Sequence, residues 1–192
     1  MVIRNILICF LILACVYAKS QPRRFKHLTS EDGISQSEVY TFLEDSRGFM
    51  WFGTVDGLNQ YDGYTIKVYN TDKNNPNSLS NNTVRSLKED KFGRIWIGTD
   101  DGLNLYDPKT ELIYQIDVNS VEKKLSIWSL YIDDDHLLVG TSNGLSQFRN
   151  GRFSNSLTTH EGLFSNTVFS MDTQQNETLW IGSFGGVSRL KM

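Results

Sequence analysis

Cysteine is nearly absent from this chain: the only two, Cys9 and Cys15, both fall within the first eighteen residues. If that segment is a removed leader, the mature chain has none, and an exported domain without disulfides must be held by its core alone. No second long apolar run follows, so nothing after residue 18 approaches the roughly 20 apolar residues a membrane helix needs. A basic excess is missing too, with 19 Lys and Arg against 22 Asp and Glu and a net charge of −3. That balance argues against nucleic acid or an anionic membrane surface as partner. Histidine is scarce: His27, His136 and His160 are scattered and form no metal-ligand spacing. No activated nucleophile, paired carboxylates or phosphate-cradling glycine loop stands out, so no catalytic, cofactor-binding or metal site is assigned.

Residues 1–18 read as a signal peptide. Arg4 gives a basic start, Ile6 to Val16 is an almost unbroken apolar run, and Val16-Tyr17-Ala18 offers a cleavage site before Lys19. Alternatively, Ile12-Leu13-Ala14-Cys15 is an imperfect lipoprotein box that would anchor the chain through a lipidated Cys15. Either processing route exports the chain. Loss of Arg4 with the leader shifts the charge from −3 to −4. The remaining 174 residues suffice for one substantial core.

What the chain has in abundance is one string repeated four times. Trp51-Phe-Gly-Thr-Val-Asp-Gly-Leu-Asn-Gln-Tyr61 returns as Trp96-Ile-Gly-Thr-Asp-Asp-Gly-Leu-Asn-Leu-Tyr106. Weaker copies are Leu138-Val-Gly-Thr-Ser-Asn-Gly-Leu-Ser-Gln-Phe148 and Trp180-Ile-Gly-Ser-Phe-Gly-Gly-Val-Ser-Arg-Leu190. The anchors Gly53, Gly98, Gly140 and Gly182 stand 45, 42 and 42 residues apart. A fixed period of this size marks an array whose units bury their faces against one another.

Each unit opens on a strand rich in β-branched and aromatic residues: Val39 to Leu43, Val84 to Lys88, Ile127 to Tyr131 and Val168 to Met171. A tight turn follows, Asp45-Ser-Arg-Gly48 and Asp90-Lys-Phe-Gly93. The second strand carries Trp-x-Gly-Thr and turns through Asp56-Gly57, Asp101-Gly102, Asn143-Gly144 or Gly185-Gly186 into a third. Asp-Gly and Asn-Gly between alternating strands predict hairpins with positive φ at both central residues. Asp62-Gly63, Asp107-Pro108 and Asn150-Gly151 then lead to a fourth strand. Four short antiparallel strands per unit make one β-propeller blade. The glycine inside the second strand predicts a close approach of neighbouring backbone, and the tryptophan two residues earlier predicts a wedge between blades.

The Val-rich strand, Asp-x-x-Gly turn, Trp-Ile-Gly-Thr, x-Asp-Gly-Leu-Asn and Tyr-Asp together resemble the two-component regulator propeller repeat. The opening Phe25-Lys-His-Leu-Thr-Ser-Glu-Asp-Gly-Ile34 is similar to the start of the exported sensor half of Bacteroides-type hybrid histidine kinases. The resemblance implies a non-enzymatic periplasmic sensor that responds to an oligosaccharide or pairs with other propeller or sensor domains. It also implies larger rings, a membrane helix and a kinase, for which this sequence has no counterpart.

The expected organisation is all-β: a leader over 1–18, then propeller repeats over 19–192. Blade one spans about 35–70, blade two 80–117, blade three 125–157 and blade four 164–192. Phe25 to Thr29 precedes Ile34 as Ile66 to Asn70 precedes Leu79, and so reads as the outer strand of a closing blade. Either that strand closes a ring of four within the chain, or the chain is the first part of a longer, open propeller. Free sheet edges in the second case favour homo-oligomers.

Three further features have plain and sharp readings. The acidic clusters Asp100-Asp101 and Asp133-Asp134-Asp135 lack the spacing of a calcium loop and fit turn chemistry better. Most aromatics recur at equivalent positions and read as packing. Trp128, Tyr64 and Phe184 do not, and such irregular positions are where a ligand site would be grafted. A lyase-like propeller enzyme would need histidines from adjacent blades in register, which His27, His136 and His160 are not.

Overall fold

The computed structural model describes residues 25–117, 125–133, 136–149, 151–154, 156–174 and 178–191. The leader and its cleavage site lie outside them, as do Asp134, Asp135 and Asn150. Blade one comprises β1 (Val39–Glu44), β2 (Met50–Thr54), β3 (Gly57–Tyr61) and β4 (Ile66–Tyr69). Blade two comprises β5 (Val84–Glu89), β6 (Ile95–Thr99), β7 (Gly102–Asp107) and β8 (Leu112–Ile116). Blade three comprises β9 (Ile127–Asp133), β10 (His136–Thr141), β11 (Gly144–Arg149) and β12 (Arg152–Phe153). Blade four comprises β13 (Val168–Gln174), β14 (Thr178–Ser183) and β15 (Gly186–Lys191). Each sheet is an antiparallel meander in sequence order, and β1, β5, β9 and β13 pack in succession as the innermost strands. The result is an open β-propeller of four blades.

The first turn of a blade is built on its aspartate. Asp45 is buried and accepts from the backbone N–H of Arg47 (3.0 Å) and Phe49 (2.9 Å), while Trp51 Nε1 donates to it at 3.0 Å and Arg47 Nη2 at 2.7 Å. Burial alone would raise the Asp45 pKa, but these donors outweigh it and hold the carboxyl below its ordinary value. Asp90 gathers the same set from Phe92, Arg94 and Trp96. One aspartate thus fixes the turn and aims the wedge tryptophan.

The second turn differs from the expectation of positive φ at both central residues. In blades one to three only its glycine, Gly57, Gly102 or Gly144, has positive φ; Asp56, Asp101 and Asn143 do not. The reason is the threonine ahead of the turn. Thr54 Oγ1 accepts from Asp56 N (3.1 Å) and donates to Gly57 O (3.0 Å), a side-chain closure that Thr99 and Thr141 repeat. Blade four shifts the positive φ one residue earlier, to Gly185. Ser183, at the threonine position, then has a buried hydroxyl with no partner.

Blades meet as the repeat predicts. A Cβ built on Gly53 would lie 2.6 Å from Val84 Cγ1, one on Gly98 2.6 Å from Ile127 Cγ2, and one on Gly140 2.7 Å from Val168 Cγ1. Each strand glycine is therefore the seat for the first residue of the next blade. Ser86 Oγ and Ser129 Oγ add bonds to the carbonyls of Ile127 (3.5 Å) and Val168 (3.4 Å). Trp51 is 0% exposed, wedged among Val84, Leu87, Ile97 and Tyr106 of blade two, with its ring 4.8 Å from that of Tyr106. Trp96 is 6% exposed against blade three. Trp180, with no described blade beyond it, is 41% exposed.

The segment before blade one matches the segment before blade four. Thr29 and Thr158 both cap a one-turn 3₁₀ helix, and Gly33 and Gly162 both end it at φ 104°. Leu157 bridges to Leu145 on the outer side of β11. Phe25 to Thr29 occupies the corresponding place ahead of blade one but pairs with no strand among the described residues; Lys26 Nζ donates to Tyr61 OH at 2.7 Å.

Candidate functional site

Every innermost strand carries a β-bulge at the same place. The register slips between Val39 and Thr41, Val84 and Ser86, Ile127 and Ser129, and Val168 and Ser170. The four bulged residues are Tyr40, Arg85, Trp128 and Phe169. Flanking positions keep their type from blade to blade, whereas the bulged position changes each time. A bulge re-aims one side chain out of the pleat, a device often found beside functional sites.

These four side chains form one continuous ladder. The Arg85 guanidinium carbon lies 4.5 Å from the Tyr40 ring centroid on one side and 4.5 Å from Trp128 on the other. Trp128 meets Phe169 edge to face at 5.2 Å. Cation–π contacts of this kind contribute about 0.5–2 kcal/mol each, depending on desolvation. Asp100, at the turn between β6 and β7, grips Arg85 from the edge: Nε donates to Oδ1 at 2.8 Å and Nη2 to Oδ2 at 2.9 Å. That bond, more than any other influence, raises the Arg85 pKa. At the far end a hydrogen bond to the Glu38 carboxylate raises the Tyr40 phenol. Tyr40 and Phe169 remain 38% and 42% exposed, and Trp128 Nε1 is buried without a partner.

Of the three irregular aromatics singled out in the sequence, the structure brings Trp128 into this ladder. Tyr64 is exposed at the tip of the β3–β4 turn, and Phe184 is exposed at the β14–β15 turn, at the repeat position of Asp100. Asp100 holds Arg85 through its carboxylate, and the backbone N–H of Asp101 donates to Thr99 Oγ1 within the turn. His27 and His160 are exposed in the segments ahead of blades one and four, and His136 opens β10; they are not brought together. Among the described residues no cluster of His, Cys, Asp or Glu could hold a metal.

Sequence reading missed Tyr40, Arg85 and Phe169, which sit between two positions that keep their type in every unit. It also missed the asparagine of Gly-Leu-Asn. Asn59 accepts from Ser35 N (2.8 Å) and donates to Ser35 Oγ (2.9 Å); Asn104 does the same with Ser80 at 2.9 Å for both. Both are fully buried and tie the incoming connection to the blade.

Clefts also open between blades. One of about 360 Å³ lies between blades two and three, lined by Phe92, Arg94, Trp96, His136 and Phe148. Another of about 470 Å³, lined by Leu138, Leu145, Gln147, Leu157 and Leu190, lies between blades three and four. A smaller one of about 260 Å³ recurs between blades one and two. Clefts at all three blade interfaces follow the repeat, whereas the ladder breaks it and is the more distinctive candidate.

The chain is an open propeller whose innermost strands carry a shared, variable position. Residues 33–56 and 78–101 match the family model of the two component regulator propeller. Over 56 residues, 29% of the chain, it is 45% identical to histidine kinase P4 of Formosa agariphila, of which it spans 4%. The extracellular domain of the hybrid two-component system BT3049 of B. thetaiotaomicron superposes with a TM-score of 0.77 at 24% identity, over 86% of this chain and 25% of that one. That of BT4673 gives 0.75 at 26% identity, over 88% and 23%. The chain thus spans about a quarter or less of each of these relatives.

Proposed function

We propose that this chain is an exported, ligand-sensing propeller module of a hybrid two-component signalling system, responsive to a glycan. The observation that carries the reading is the pairing of propeller repeats of two-component type with an axial ladder whose residues break the repeat. Likeness to extracellular domains of two such systems supports export. Among the described residues no helix is long and apolar enough to cross a membrane. Exposed aromatic faces with polar rims suit a sugar, which offers an apolar C–H face and hydroxyls at its edge. Binding, rather than turnover, is the role assigned to the ladder. The chain, secreted through its own leader, is screened in solution against a panel of plant, algal and host oligosaccharides. Saturable binding of at least one, without change to the sugar, is expected; no binding across the panel, or cleavage of the sugar, overturns the reading.

A further inference from the structure

The ladder also carries information about charge. Arg85 is the cation of the stack, and both of its faces are covered, by Tyr40 and by Trp128 at 4.5 Å each. Two of its donors are committed to Asp100 in a bidentate pair. Glu38 adds a second carboxylate beside Tyr40. Asp100 therefore balances the guanidinium, on a chain whose net charge is already −3. An anionic ligand arriving at the axis meets an arginine already neutralised by a bidentate carboxylate. A cationic ligand finds the slot between Tyr40 and Trp128 already filled by a guanidinium.

What the ladder leaves free is apolar and hydroxyl-compatible. The Tyr40 and Phe169 rings are each about two-fifths exposed, flat, and set at the two ends of the stack. Around them stand the Tyr40 hydroxyl, which can still accept a hydrogen bond while engaged with Glu38, and the Arg85 Nη1 group, which the Asp100 pair does not use. We infer that the ladder binds a neutral saccharide chain in preference to a uronate- or sulfate-bearing one, with sugar rings stacked on Tyr40 and Phe169. This rests on the glycan reading given above. Asp100 is then a specificity-determining residue, because it removes from Arg85 the capacity to receive an acidic group. Phe184 extends the same logic: at the position of Asp100 in blade four, it offers an apolar side chain in place of a carboxylate.

The test is calorimetric titration of the full processed chain with neutral hexasaccharides (cellohexaose, xylohexaose, mannohexaose, maltohexaose) and acidic ones (hexagalacturonate, a heparin-derived hexasaccharide). At least one neutral probe should bind about ten-fold or more tighter than either acidic probe, one decade being a readily measured step. Tyr40→Ala and Phe169→Leu should each weaken that binding while the chain still unfolds cooperatively, with a fall in melting temperature no larger than loss of one ladder contact accounts for. Asp100→Asn should raise affinity for hexagalacturonate by freeing the guanidinium. An acidic probe bound more tightly by the unmodified chain overturns the inference and leaves the glycan reading standing. Binding indifferent to Tyr40 and Phe169 overturns the ladder as its seat. No binding of any probe overturns the inference, and the wider panel described above decides the glycan reading separately.

Discussion

Val84, the first residue of blade two's innermost strand, stands over Gly53 in the second strand of blade one, so that a Cβ on Gly53 would meet Val84 Cγ1 at 2.6 Å and Val84 O at 3.0 Å. The same seat recurs twice more, with Ile127 on Gly98 and Val168 on Gly140. A motif glycine that a strand would ordinarily avoid is thus the point where one blade accepts the next.

The first prediction follows from that seat. In Gly98→Ala the new methyl meets Ile127 Cγ2 at 2.6 Å as well as Ser86 Oγ, so blade three must move away. Overpacking of this kind costs about 1–3 kcal/mol. Gly182→Ala meets only Ser170 of its own sheet, whose side chain can rotate, and should cost less. Urea midpoints of the two variants provide the check; equal losses would contradict the seat.

The wedge tryptophans should also differ. Trp51 is fully buried between blades and donates to Asp45, so Trp51→Ala should cost about 3–5 kcal/mol, the usual range for emptying a buried aromatic site. Trp180 has the same motif position but is 41% exposed, and Trp180→Ala should cost well under half as much. Thermal unfolding with both variants side by side would expose a wrong assignment if their losses matched.

Blades one and two reach one arrangement from interchanged residues. Arg47 and Phe49 in the first turn correspond to Phe92 and Arg94 in the second, yet each arginine pairs with its turn aspartate at 2.7 Å and lies about 5 Å over its phenylalanine. The double variant Phe92→Arg/Arg94→Phe should therefore stay within about 0.5 kcal/mol of the parent, as compensated surface changes do. Arg94→Phe alone loses the ion pair; at 35% side-chain exposure solvent screens that pair, so the loss should be about 1 kcal/mol. A double variant weaker than the single would refute the equivalence.

Acid should act through Asp45. Its folded pKa is depressed, so its contribution to stability is complete above the unfolded carboxylate value of about 4 and is lost as pH falls below that and through the folded value. Asp45→Asn removes this titration. Stability of the parent should fall more steeply than that of the variant below about pH 4, the range in which carboxylates protonate. Parallel pH profiles would contradict the coupling.

The period, strand order, wedge role of Trp51 and Trp96, and close approach at Gly53, Gly98 and Gly140 were legible in the sequence because each is a local residue choice repeated at fixed spacing. The ladder was not, because a bulge is invisible to an alternation pattern: Tyr40 and Arg85 read as ordinary members of alternating strands. Nor could spacing show that Arg85 and Asp100, fifteen residues apart, form a bidentate pair. The turn at Asp56-Gly57 was misjudged in its dihedral angles because the threonine hydroxyl, not a second positive φ, closes it. Trp128 was found by its irregularity alone.

The most direct test of the account is a hydrogen-exchange footprint of whichever oligosaccharide the chain binds. Slowed exchange should concentrate at the backbone of Tyr40, Arg85, Trp128 and Phe169 and at the Asp100 turn, all brought together by the innermost strands. A footprint confined to the outer turns around Tyr64, or to the clefts between blades, with the four bulges unchanged, would contradict an axial sensing site.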